Sequence, residues 1–208
     1  MSKTTIPTGG ITADAINATL IADDAISEEH LDATAITGTT ALAAQPAATD
    51  EIIISDAGTL KRLDIKHISN TPAFMVQKTG GSGINNNTAT LVAFDSEDLD
   101  TDSTFASNRF TPAIAGYYHI FALLAFDELA DGKVGYCMLY KNGSHYLSGA
   151  AMTGAATSLI VAQCSATIYL DSDDYVEVYA QHNHGSIRNV IGDSTTECFF
   201  GGFRVTGA

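Results

Sequence analysis

Two groups of side chains in this 208-residue chain have the types and spacing to do chemistry. The first is acidic. Asp95, Glu97, Asp98, Asp100 and Asp102 lie within eight residues, and the alternation of Asp98, Asp100 and Asp102 would present oxygens to Ca²⁺. The run has no glycine and no closing Glu at EF-hand spacing, so its plainer reading is a solvated loop. A bound Ca²⁺ would pin a loop that otherwise repels itself. The second group is His182-Asn183-His184, which keeps the strand parity of Val176, Val178 and Ala180. Both imidazoles then continue an apolar face. They would ligate a transition metal there, or else bond to backbone at a strand end or lie exposed in a loop.

Catalysis finds less support. Ser144-His145 and the scattered Asp residues lack a nucleophile-elbow context. No Glu pair sits in a glycosidase motif, although carboxylates alone never exclude that reaction. Gly80-Gly81-Ser82-Gly83 lacks the Lys-Ser/Thr of a phosphate-binding loop. Cys137, Cys164 and Cys198 are too few and too scattered for a disulfide framework or a paired-cysteine zinc site, and read as small buried hydrophobes. Tyr136, Tyr140, Tyr146, Tyr169, Tyr175 and Tyr179 suit contact surfaces and glycan stacking, or fill the core. The expectation is a non-enzyme that requires no cofactor, with Ca²⁺ or a transition metal as the candidate ions.

Composition narrows the partners. Acidic residues number 24 against 10 basic ones, a formal net charge of −14, which disfavours a phosphate backbone. No run approaches ~18 unbroken apolar residues, so no membrane span is expected. The opening MSKTTIPTGG has one Lys and no apolar stretch, unlike a secretory signal. The expectation is synthesis in a reducing cytoplasm.

The elements that must position these groups differ along the chain. Residues 1–50 hold only Lys3 against seven acids and contain no aromatic residue, the first being Phe74. Within them Ile11, Ile16, Ile21, Ile26, Leu31 and Ile36 recur every five residues. A step of five turns a helix by roughly 500°, so no stripe forms, and on a strand it alternates faces. Such a repeat buries its apolar residues only against neighbours, and other copies of the chain are the natural ones. The reading is a thin multi-chain stalk with Ile16, Ile21 and Ile26 at its interface. A pentapeptide β-helix and an extended, partly disordered tail are the alternatives. Residues 51–70 follow as a hairpin collar around Ser55-Asp56-Ala57-Gly58. The triplet Ile52-Ile53-Ile54 asks for burial on both faces, which one hairpin cannot provide.

From residue 71 to 208 the pattern is all-β. Candidate strands are 73–78, 88–94, 116–127, 133–141, 157–170, 174–184 and 197–206, with Asn142-Gly143 as a type I′ hairpin turn. In 159–170 the even positions, including Cys164, face inward. The strand 117–126 is apolar on both faces: Tyr118, Ile120, Ala122, Leu124 and Phe126 on one, Tyr117, His119, Phe121, Leu123 and Ala125 on the other. Sandwich strands usually keep one face wet. A subunit interface over Tyr117, His119, Phe121 and Leu123 is the economical cover.

Around that strand, Phe110, Gly116 and Tyr118 resemble the Phe-x5-Gly-x-Tyr motif of the C1q/TNF-like jelly roll. Ile120 stands where that family has an aromatic, and the upstream Val92-Ala93-Phe94-Asp95 departs from its spacing. Phe199-Phe200-Gly201-Gly202-Phe203-Arg204-Val205 is similar to its last strand. The resemblance covers roughly residues 72–207 and implies a ten-stranded sandwich that assembles as a trimer. It names no ligand.

The phrases IADDAI and ISDAGTLKRLD resemble attachment segments of bacteriophage tail fibres, notably marine and cyanobacterial ones. That resemblance implies a virion location, with a trimeric stalk ending in a globular head. His182-Asn183-His184 is likewise similar to the HxH of some phage fibre tips, where three copies would bring six nitrogens to an octahedral metal. The expectation is a homotrimeric tail fibre or receptor-binding tip. Residues 1–70 would dock to other tail or virion proteins. Head loops 79–88, 95–108, 142–156 and 183–196 would meet a host-surface glycan or protein. The rival is a capsid decoration, head fibre or tail adaptor that binds no receptor. A glycan-cleaving tip is the remoter third.

Overall fold

The computed structural model describes residues 21, 33–44, 46, 47, 49–68, 70–154, 156–192 and 198–205. The chain divides into two compact units, Met1–Pro46 and Ala47–Ala208. Ile16 and Ile26, with most of the five-residue repeat, lie outside the described residues. Ile21 is exposed, and one helical turn, α1 (Thr34–Thr37), closes with Gly38 N–H on the Thr34 carbonyl.

The second unit opens with the expected hairpin. β1 (Glu51–Asp56) and β2 (Thr59–Asp64) pair antiparallel across Ala57 and Gly58. Both turn residues have positive φ, 50° and 86°, as a two-residue type I′ turn requires. Arg62 bonds Glu51 at 2.8 Å, and Lys61 pairs with Asp56. Ile53 and Leu60 remain 79% and 77% exposed, so nothing among the described residues covers them.

The rest is a β-sandwich. Its strands are β3 (Ala73–Gln77), β4 (Ser82–Ile84), β5 (Thr90–Leu91), β6 (Ser96–Asp100), β7 (Phe105–Ala106), β8 (Arg109–Phe110), β9 (Gly116–Leu129), β10 (Val134–Lys141), β11 (Ser144–Met152), β12 (Ser158–Leu170), β13 (Val176–His182), β14 (Arg188–Val190) and β15 (Phe199–Arg204). One sheet runs β11-β10-β13-β8-β7, with β5 also on β13. The other runs β4-β14-β9-β15-β3-β6, with β12 on the free side of β9. Among the described residues the two sheets hold six and seven strands where ten were expected, because loops contribute pieces of two or three residues. The run 88–94 forms a strand only at β5. Each expected contact loop also carries strand: β4, β6 with β7, β11 and β14 respectively.

Alternation builds the core. Tyr118, Ile120, Ala122, Leu124 and Phe126 of β9 point inward, and Ile160, Ala162, Cys164, Ile168 and Leu170 of β12 meet them. At one end Phe74 stacks on Phe110 at 4.3 Å and takes Phe200 edge-on at 4.8 Å. Tyr118 packs edge-on against Phe110 and donates its hydroxyl to the Ile114 carbonyl at 2.6 Å. Burial pushes that phenol up to about 12. Phe110 and Tyr118 are thus core residues, and Gly116 leaves the space that the Arg204 guanidinium occupies.

Candidate functional site

The inward faces of the two sheets are alike, but the outward faces are not. On the β9 sheet, register places Ser165, Phe121, Gly201, Met75 and Leu99 in one outward row. Gln163, Leu123, Phe199 and Gln77 form a second row, and Thr167, His119, Phe203 and Ala73 a third. Phe121 meets Phe199 edge-on at 6.0 Å, and His119 lies 5.6 Å from Phe203. A Cβ on Gly201 would stand 2.8 Å from the Phe121 ring, so the missing side chain lets that ring lie across β15. Leu159, Val161, Tyr169, Tyr117, Phe203 and Leu99 are exposed around the rows. A cleft of about 320 Å³ opens between His119, Phe121, Leu123 and Phe199. The sequence-predicted residues Tyr117, His119, Phe121 and Leu123 all point outward into this face. Phe199 and Phe203 join them, although only strand pairing, not spacing, could have revealed it.

The other outward face carries polar aromatics. Across β10 and β13, Tyr136 sits opposite Gln181, Met138 opposite Tyr179, and Tyr140 opposite Glu177. Tyr140 and Tyr179 stack at 4.1 Å, and His145 meets Tyr140 edge-on. Arg109 on the adjacent β8 bonds Glu177 at 2.9 Å and lies 4.2 Å over the Tyr175 ring. The Glu177 side chain is only 4% exposed, and that guanidinium is the partner that offsets its burial. Burial first, then the Glu177 charge, raises the Tyr179 phenol above its ordinary value.

At the end of this sheet two turns are locked together. Asn142 and Gly143 have φ of 51° and 72°, the type I′ turn expected from the sequence. Asn142 donates to Asp174 at 2.5 Å, and Lys141 pairs with the same carboxylate at 2.7 Å. Burial alone would raise Asp174, but Lys141, Asn142 and the Asp171 N–H outweigh it and hold the carboxyl down at about 2.

The metal candidates are otherwise engaged. Asp100 accepts the Thr104 N–H and hydroxyl on one oxygen and the Phe105 N–H on the other, at 2.9–3.0 Å. Asp98 takes the Gln77 amide, and Asp102 the Thr101 hydroxyl. Asp95 accepts both the N–H and the hydroxyl of Thr79, and the backbone bond lowers its pKa. The acidic run is therefore a set of local acceptors, half of it paired to β3. His182 is fully buried. Its Nε2 bonds the Ile84 carbonyl at 2.8 Å, and its Nδ1 accepts the His184 N–H at 3.2 Å. That pairing puts the ring proton on Nε2 and leaves no lone pair for a metal. His184 Nδ1 accepts the Ala130 N–H, while burial and then Arg188 keep the ring below its ordinary pKa. Among the described residues, no three His, Cys, Asp or Glu side chains converge on a site for an ion.

No protein-family model and no curated protein matches the sequence. Solved structures do match the head. The Eiger TNF of S. frugiperda aligns with 65% of this chain and 93% of its own, at 11% identity and a TM-score of 0.50. The globular domain of zebrafish complement 1qA protein covers 64% of this chain and 96% of its own, at 17% identity and 0.47. Murine APRIL covers 64% and 98%, at 10% identity and 0.49. The likeness to Eiger TNF makes the head a C1q/TNF-like jelly roll in fold. No helix among the described residues is long and apolar enough to cross a membrane.

Proposed function

We propose that this protein is a homotrimeric, non-enzymatic recognition head carried on a multi-chain stalk, serving as a tail fibre or receptor-binding tip of a bacteriophage virion. The observation that carries the reading is the outward apolar face on which Phe121, Leu123 and Phe199 are half-buried and Phe203 is exposed. A connected apolar face of this kind on one sheet marks an interface. Further copies of the same chain are its occupant, as the jelly-roll resemblance implies. The virion location rests on the likeness of IADDAI and ISDAGTLKRLD to fibre attachment segments. Three heads then offer three equivalent weak sites, and avidity holds a surface that single contacts would release. The tyrosine face and the adjoining loops are the partner-facing surface. Aromatic rings give contact area there while their hydroxyls stay compatible with water.

Sedimentation of the purified full chain tests assembly, the expected species having three times the 21.8 kDa chain mass. A monomer at micromolar concentration would sink the trimer. Labelled microscopy of particles is expected to place the protein on the tail, and label on the capsid would favour decoration instead. Excess purified protein is expected to block adsorption to the host. Unchanged adsorption with tail location would favour the adaptor role.

A further inference from the structure

None of the cysteines takes part in the function proposed above. Cys137 lies on β10 and Cys164 on β12, in opposite sheets, yet their sulfurs stand 3.3 Å apart in the core. Both are buried free thiols. The approach is built into the neighbouring strands. Cys137 pairs laterally with Gly149 on one side and Ala180 on the other, and Cys164 pairs with Ala122. Small residues therefore surround both thiols. Gly149 decides the spacing: a Cβ there would lie 1.7 Å from the Gln163 carbonyl oxygen and 3.4 Å from the Cys164 Cβ. Only a residue without a side chain lets β12 close on β11 at this point, and that closure sets Cys164 against Cys137.

The pair is also electronically unequal. The two sulfurs lie within hydrogen-bond reach and either can donate. That contact and a second hydrogen bond to the Gly149 backbone hold Cys164 below its ordinary pKa, against the opposing effect of burial. Cys137 is raised by that same contact and then by burial. The thiolate, which is the nucleophile in exchange, forms on Cys164.

We propose that Cys137 and Cys164 are a latent inter-sheet disulfide, closed by a small-molecule disulfide such as oxidised glutathione. The Cys164 thiolate attacks one sulfur of the oxidant, forming a mixed disulfide and releasing one glutathione thiolate, which takes up a proton. Cys137 then gives up its proton, and its sulfur attacks the Cys164 sulfur, expelling the second glutathione. The protein loses two hydrogens, and the oxidant becomes two thiols. The bond needs the sulfurs to approach to about 2.05 Å, a small closure between strands already in contact. It would staple the two layers of the sandwich in an oxidising medium and stay open in a reducing one. This does not depend on the trimer or on a virion location.

The test uses the full chain, both as folded protein and refolded from denaturant, in a buffer of oxidised and reduced glutathione. Free thiols counted after denaturation should fall from three to one. The intact mass should drop by two hydrogens, and peptide mapping should join Cys137 to Cys164. The melting temperature should rise by roughly 5–10 °C and return on reduction. Cys137→Ser and Cys164→Ser should each retain two thiols and lose the redox-dependent shift, whereas Cys198→Ala should behave like the parent. If the serine variants fail to fold, mapping of the parent protein decides. Three thiols in both arms, a glutathione adduct that persists, a bond to Cys198 or a bond between chains would each overturn the proposal.

Discussion

The two outer faces of this sandwich share a backbone plan and differ in one functional group. The β9 sheet presents Phe121, Phe199 and Phe203, whereas the β10–β13 sheet presents Tyr136, Tyr140 and Tyr179. A phenyl ring next to water gains by permanent cover. A phenol keeps a hydrogen-bonding edge, so its surface can be wet, contacted and released. The charges follow the same division. The outward row of the β9 sheet from Ser165 to Leu99 holds no ionisable side chain, while the tyrosine face carries Arg109 and Glu177. One face is thus suited to a lasting joint and the other to exchangeable contact.

The largest expected effect breaks the first half of that contrast. Phe121→Glu should reduce the sedimenting species to a single chain, because three carboxylates cannot share a dry interface. Tyr140→Glu should leave assembly intact, and equal dissociation by both variants would erase the distinction between faces. Next in size is Arg109→Ala, which strands the buried Glu177 charge. It should cost about 2–3 kcal/mol in urea unfolding, less than a fully buried pair because the guanidinium is half exposed. Glu177→Gln should cost less than Arg109→Ala. A smaller effect belongs to Asp174, whose folded pKa of about 2 lies below its ordinary 3.8. Its stabilisation is present above about pH 4 and is lost as pH falls toward 2. Asp174→Asn should flatten that part of the pH profile and cost about 1 kcal/mol at neutral pH. Smallest is Tyr146→Ser on the exposed tyrosine side, within about 0.5 kcal/mol in stability. Its effect should fall on host adsorption instead, measured by competition.

Much of the frame was legible because it depends on period-two alternation. The inward and outward sets of β9 and the inward positions of β12 follow from parity alone, as does the Asn142-Gly143 turn from its residue types. The strand β11 was not legible. Its sequence, SHYLSGAAM, is rich in Ser, Gly and Ala, and it becomes a strand because β10 offers an edge beyond a tight turn. The acidic run offered an ion beside the plainer solvated loop, and its spacing could not choose between them. Spacing shows how carboxylates are separated along a chain, not which amides fold back to meet them, and Thr79, Thr104 and Phe105 do so. His182 was correctly given the apolar parity, but the Ile84 carbonyl that occupies it is 98 residues away in the chain. The facing of Cys137 and Cys164 depends on how one sheet slides over the other, which no single strand encodes.

The exposed hairpin carries one more consequence, in the order of events. A two-stranded sheet has two edges and no interior, and by itself it is marginal in water. The sandwich closes on its own core, so its formation is first order in chain. Among the described residues nothing covers Ile53 and Leu60 of the hairpin, and the cover proposed for them is further copies of the chain. Its ordering is therefore the step most sensitive to how many chains are near one another, and dilution should loosen the collar before it disturbs the head.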